Sequence, residues 1–335
     1  MNVVGSSLYA LFASVISIPR DELGIPIYAV APIADHHSSF IGKDSEGCAC
    51  LLVVSSTHDR HRPPAIRLET LEVQFDVLCY LHGENGVVYE DRFTVLRCRT
   101  TDIEIVRYFL SVCEVLLDVL GEDPTQHAVA AAVDRLAAMF QKMSKPPMRS
   151  VVGLFGELCV MLFCRNPAAA LLAWRNDDMA RYDFARDELR IEAKATLGRI
   201  RIHTFSFDQC NPPPGILAFA ASLFVEHTPA GTTLSELVDR LEARVSHVPD
   251  LAFKLRDTVA ATLGTSLQES MSLSFDLRLA ATSLLFYRLG DIPAIREPIP
   301  AGVSGIRFQS DLTMVQPQVI SVLAAQFPGV SDFLP

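Results

Sequence analysis

At 335 residues, half of them hydrophobic, the chain has room for two or three small domains or one elaborated domain, with a sizeable core. It carries 29 Lys and Arg against 39 Asp and Glu, a net charge of −10, which argues against a protein that holds nucleic acid by bulk charge alone. No uninterrupted apolar run approaches the length of a membrane span, so the expectation is a cytoplasmic protein with no membrane partner.

In chain order, Leu8 to Ile18 is apolar enough to suggest a signal peptide. No Lys or Arg precedes it, and no small-residue cleavage site follows. Leu8, Leu11, Phe12, Val15 and Ile16 keep helical spacing instead, which predicts a packed amphipathic helix. Residues 25–100 read mostly as strand. Ile27–Pro32, Cys48–Ser55, Ile66–Leu81 and Val87–Arg99 are rich in β-branched and aromatic residues, and Gly83-Glu84-Asn85-Gly86 should turn the last two into a hairpin. A small antiparallel sheet serving as scaffold is expected. His58 and His61 lie in a polar turn, and Cys48-Ala49-Cys50 has no second pair at zinc spacing. The eight cysteines sit mainly in apolar runs, the pattern of buried, reduced thiols.

Helices follow. Val106, Phe109, Leu110, Cys113, Leu116 and Leu117 make one stripe of a helix over Asp102–Leu120. Pro124–Met143 is a second helix, broken by Ser144-Lys145-Pro146-Pro147. A core helix is predicted from about Pro147 to Cys164, and Ala169–Trp174 is either a short strand or a helix end. Strands are expected at Arg181–Ala185 and Leu189–Ala195, with a third at Gly198–Phe205. In that third strand Arg199, Arg201 and His203 share a face that could meet phosphates of DNA. Ile216–Val225 reads as a central strand. Thr233-Leu-Ser-Glu236 is a capping signal opening a crossover helix to Val245. Asp250–Leu263 is a helix closed by Gly264. Leu273–Tyr287 reads as a long strand, Ser304–Leu312 as the last strand and Pro317–Phe327 as the last helix.

The chemistry concentrates between Gly153 and Gln209. A tight hairpin at Asp187-Glu188 would pair Phe184 with Ile191 and Asp183 with Glu192. Opposed residues on one face lie about 5 Å apart at Cβ, so two carboxylates there repel unless a cation separates them. All-oxygen sites suit hard cations, Mg2+ or Mn2+. The carbonyl of Ala193 offers a further ligand. Lys194 falls on the face of Glu192 and could orient an attacking water. Glu157 sits upstream on an apolar helix, where Gly153 and Gly156 would allow close approach to a sheet. A Glu-x-Lys triplet alone says little; Asp183 at hairpin distance and Glu157 upstream give it weight. Between Pro147 and Gln209, nine basic residues meet eight acidic ones. The acid excess therefore lies outside this stretch, which suggests that other subunits supply DNA affinity.

Gly153–Leu158 (GLFGEL), Trp174, Asp183-Phe184 and Glu192–Thr196 (EAKAT) resemble a branch of the PD-(D/E)xK nuclease superfamily. Tyr182 stands where the superfamily often has proline. The resemblance implies an α/β (α+β) fold: a restriction-endonuclease-like core with a mixed central sheet, a β-rich N-terminal region and a C-terminal extension. The divisions expected are 1–100, a helical connector 101–146, the core 147–246 and an extension 247–335. It implies Glu157, Asp183, Glu192, Lys194 and Gln209 as catalytic residues, with Asp183, Glu192, Ala193 and Glu157 holding Mg2+ or Mn2+; Gln209 reads equally as a loop residue. It also implies DNA as substrate, and partner subunits of ATPase or methyltransferase type in a bacterial restriction or anti-phage system. Two other classes stand beside this one. A silent nuclease-fold subunit would serve as DNA- or protein-binding scaffold. An unrelated α/β hydrolase would need a G-x-S-x-G elbow that the chain lacks.

Overall fold

The computed structural model describes residues 8–16, 26–34, 36–54, 63–83, 88–148, 150–175, 180–296 and 299–335. Contacts divide the chain into Met1–Lys145 and Pro146–Pro335.

In the first unit, α1 (Leu8–Ser14) precedes six strands: β1 (Ile27–Ile33), β2 (His36–Lys43), β3 (Ala49–Val54), β4 (Ile66–Arg67), β5 (Leu71–His82) and β6 (Val88–Cys98). The sequence reading passes over β2, which opens on His-His-Ser-Ser with no apolar alternation. It merges β4 with β5, which a turn closed by the Leu68 N–H and the Leu71 carbonyl separates. Neighbours in the order β1-β2-β3-β6-β5-β4 are antiparallel, but β1 also pairs parallel with β5, Ile27 opposite Tyr80. The small sheet expected as antiparallel therefore contains one parallel pair, which closes it on itself. Val30, Cys50, Leu52, Leu81 and Val95 share its core. The closing strand β5 bends at Asp76, where φ is 54° and the register with β6 shifts; Arg92 holds that carboxylate and carbonyl. The β5–β6 hairpin forms, with His82 opposite Val88. Its turn residues, Glu84 to Gly86, lie outside the described residues, as do His58 and His61.

Helix α2 (Ile103–Leu120) starts where the Asp102 carboxylate accepts the N–H groups of Glu104 and Ile105, an N-cap. The whole predicted stripe of α2 is buried. Thr125 caps α3 (Gln126–Met143) in the same way. All eight cysteines of the chain are buried and free.

The second unit opens with α4 (Val151–Phe163), capped by Ser150, and α5 (Pro167–Ala173), so the open segment before Trp174 is helix. Then come β7 (Phe184–Arg186), β8 (Leu189–Thr196), β9 (Ile202–Ser206), α6 (Phe207–Cys210), β10 (Leu217–Phe224), β11 (His227–Thr233), α7 (Leu234–Val245), α8 (Pro249–Leu263) and α9 (Leu267–Met271). The unit ends with β12 (Ser274–Phe275), α10 (Leu277–Ser283), β13 (Leu285–Arg288), β14 (Arg307–Asp311) and α11 (Ile320–Gln326). The central sheet has the order β13-β10-β8-β7 and is mixed: β8 and β10 run parallel, and the outer pairs are antiparallel. The apolar β10 sits between two partners, as its composition requires.

The strand β9 lies outside the central sheet and pairs with β14, Phe205 opposite Phe308. Two expectations are corrected. The helix α7 has its capping box but is no crossover between parallel strands. It follows β11, and the next strand added to β10 is the antiparallel β13. Leu273–Tyr287 is not one strand, because the Asp276 carboxylate accepts the Leu279 N–H and starts α10 inside it.

One close approach places the motif residues. A Cβ on Gly156 would sit 2.7 Å from the Cβ of Ala195. Helix α4 therefore lies against β8 at a point where only glycine fits, and Glu157 follows immediately.

Candidate active site

The hairpin β7–β8 forms in the expected register, with Phe184 opposite Ile191 and Asp187 at a φ of 47° in the turn, a conformation aspartate tolerates better than most residues. Asp183 lies one residue before β7. Its carbonyl accepts the Arg175 N–H at 2.8 Å, and its Oδ2 accepts the Ala193 N–H at 2.8 Å. The carboxylate is thereby pinned across the hairpin beside Glu192. The Lys194 ammonium donates to Glu192 Oε1 at 2.8 Å and rests 5.0 Å from the Phe205 ring centroid. Asp183 and Glu192 are each 7% exposed, so this is no solvated surface pair.

Burial, then the neighbouring Asp183 charge, pushes the Glu192 carboxyl up to about 7; Lys194 and the Gln209 side chain pull it partly back. Two buried carboxylates at this distance favour sharing a proton or a cation. The donors on offer are oxygens, which fits a hard divalent ion. Glu157, 5% exposed, accepts a 2.7 Å hydrogen bond at Oε2 from the Trp174 indole N–H. Trp174 in turn bridges to Phe184. The ligand atoms of Glu157, Asp183 and Glu192 do not all converge within 4.8 Å of one another; among the described residues Asp44, Glu46 and Cys48 in the first unit do. There Arg97 already pairs with Asp44 and Glu46, so a guanidinium fills the place of a cation.

Gln209 is not an idle loop residue. It is the last residue of a capping box on α6: its Oε1 accepts the Ser206 N–H at 2.9 Å, and its Nε2 donates to the Arg181 carbonyl at 2.9 Å. It thus ties the segment before Asp183 to the end of β9. Tyr182, in the place of the frequent proline, is buried and donates its hydroxyl to the Gln209 carbonyl at 2.9 Å.

The expected basic face of Arg199, Arg201 and His203 is not a surface for phosphates. Arg199 lies in the bend before β9 and pairs with Glu226. Arg201 and His203 are buried. Arg201 donates to the carbonyl and hydroxyl of Ser222, both at 2.7 Å, and to the Ser283 carbonyl. His203 Nε2 is 2.7 Å from the same hydroxyl. Burial, with the Lys194 and Arg201 charges, holds His203 down to about 4 and therefore neutral. Ile200 and Ile202, on the alternate face, are the exposed ones. Alternation along the strand is as expected; the direction that faces the interior is reversed. Three partners escaped sequence reasoning: Trp174 as the donor to Glu157, Phe205 beneath Lys194, and Ser222. Ser222 carried a signal, being the one polar residue in the run LAFAASLF.

Among the described residues no helix is long and apolar enough to cross a membrane. No curated protein and no solved structure matches the chain. The model of the family described as "Putative PD-(D/E)XK family member (DUF4420)" matches residues 23–313. That span takes in the hairpin, the Glu-x-Lys strand and the helix of Glu157, and the chain belongs to this PD-(D/E)XK family.

Proposed function

We propose that the chain is a divalent-cation-dependent DNA endonuclease, the cutting subunit of a multi-gene restriction or anti-phage system. The observation that carries this reading is the buried hairpin set: Asp183 held by the Ala193 N–H, Glu192 raised by burial and by its neighbour Asp183, and Lys194 on the same strand face. Asp183, Glu192 and the Ala193 carbonyl would hold Mg2+ or Mn2+. Bound there, the ion lowers the pKa of a water and offsets charge growing on the phosphate. Lys194 would position that water. Glu157, bonded to the Trp174 indole N–H, would orient water at the site or hold a second ion. Gln209 fixes the Glu192 carboxylate. Partners of ATPase or methyltransferase type fit the net charge of −10, which leaves the isolated chain a weak DNA binder.

The test is cleavage of duplex DNA in Mg2+ or Mn2+, with candidate partner proteins present, beside a metal-binding isotherm. Lys194→Ala should lose about 10³-fold or more in rate, because members of one catalytic unit do not act additively. It should keep its metal affinity. Asp183→Ala should lose both. If both variants cut like the parent, these residues are not the active site and a scaffold subunit is the better description.

A further inference from the structure

We infer that the groove lined by Arg175, Arg181 and Arg190 receives nucleic-acid backbone phosphates beside the bond to be cut. The inference rests on the nuclease reading for its location and on independent residues for its chemistry. The groove encloses about 440 Å³, with Ala180, Tyr182, Ala185, Pro213 and Ile216 completing its lining. None of its eight lining residues is acidic, in a chain whose total charge is −10. Three arginines line one groove of a chain with an acid excess.

Their present partners leave them available. Arg190 donates only to carbonyls, those of Asp187 at 2.6 Å and Leu189 at 2.7 Å. These bonds hold the arginine at the hairpin without cancelling its charge. Arg181 meets Asp208 at 3.8 Å, and both side chains are largely exposed; such a pair contributes little and exchanges readily. Arg175 is exposed. Guanidinium forks match phosphate oxygens bidentately, which lysine does not.

The groove is also in register with the hairpin carboxylates. Tyr182, in its wall, precedes Asp183, and the Arg175 N–H holds the Asp183 carbonyl. Arg190 stands two residues before Glu192 on β8, so the two share a face one strand repeat apart, about 7 Å. That step is comparable with the distance between successive phosphates of one strand. A backbone whose scissile phosphate lies at Asp183 and Glu192 would carry its neighbours past Arg190 and on toward Arg181 and Arg175. The arginines replace the face expected of Arg199, Arg201 and His203, of which Arg201 and His203 are buried and Arg199 pairs with Glu226.

The experiment measures binding of a short fluorescein-labelled duplex, and of its single strand, by anisotropy in EDTA. The full-length parent is compared with Arg175→Ala/Arg190→Ala and with Arg307→Ala, an exposed arginine on β14. Affinity is followed between about 50 and 200 mM salt, where each lost duplex phosphate contact reduces the slope of log K against log salt by about 0.9. The double variant should lose roughly 2 from the slope, and Arg307→Ala nothing. Arg175→Gln alone, at an exposed position, should lose about 1 and keeps the test open if the double variant does not fold. Unchanged slopes, an equal loss in Arg307→Ala, or a parent that binds neither duplex nor single strand at low salt overturns the groove. Cleavage is scored separately in Mg2+ and Mn2+, with the candidate partner proteins present. A parent that cuts while the groove variants keep their slope overturns the groove alone. A parent that binds through the arginines yet never cuts supports the groove and removes the nuclease reading.

Discussion

Trp174 shows how one side chain can govern the acid set. The chain has a single tryptophan, and its N–H is committed to Glu157. A hydrogen bond of this kind contributes about 0.5–1.5 kcal/mol, or about 1.5–3 kcal/mol where the acceptor is ionised. Trp174→Phe keeps the ring and removes the donor. It is expected to destabilise the protein by roughly that amount and to weaken Mn2+ binding. In the parent, the indole emission reports on the site directly: saturating Mn2+ should change it, and Asp183→Ala should abolish the response. Emission that stays constant while an isotherm shows metal bound would place the metal away from Trp174. In the sequence, the tryptophan was visible as part of a motif but its role was not. Seventeen positions separate it from Glu157, and only the packing of α5 beside α4 brings the two together. Asp183 and Glu192 were legible because a two-residue turn fixes the register of both strands locally.

At the scale of elements, β9 marks the limit of pattern reading. A strand of alternating basic and branched apolar residues normally buries the apolar face. Here Arg201 and His203 turn inward because the Ser222 hydroxyl, two carbonyls and the rings of Phe224 and Tyr287 receive them. None of those partners is local in sequence. The helix α10 escaped for the converse reason: its signal, the Asp276 cap, is local but sits inside an apolar run that reads as strand. The inward histidine has a consequence for acid stability. Its folded-state pKa of about 4 lies below the ordinary 6.5. The unfolded chain therefore gains a proton first, and the contribution present above pH 6.5 is lost as pH falls through 4. Roughly 2 kcal/mol should be gone by about pH 5. In urea melts, His203→Gln should show a smaller difference between neutral and acidic pH than the parent. An identical difference would mean that His203 takes up its proton over the same pH range in the folded and the unfolded chain.

For the whole molecule, closure of the first sheet was the least legible feature. Its parallel β1–β5 pairing joins Ile27 to Tyr80, and nothing in either segment announces a partner so far along the chain. The second unit is different: its motifs, hairpin and central apolar strand are each written locally, and they agree with one another. Glu157, Asp183, Glu192, Lys194, Gln209 and the three arginines of the groove all fall within Pro146–Pro335. That span is long enough to bury its own core, and the cluster of Tyr182, Phe205, Ala220, Tyr287 and Leu312 draws on its residues alone. A polypeptide of residues 146–335 is therefore expected to fold cooperatively, bind Mn2+ with the affinity of the full chain and give the same Trp174 response. Circular dichroism melts and a Mn2+ titration followed at the tryptophan would check this. A fragment that melts without a transition, or folds but no longer binds Mn2+, would show that folding or metal binding depends on Met1–Lys145. Equal Mn2+ binding with lost cleavage would instead assign the first unit to holding DNA or a partner subunit.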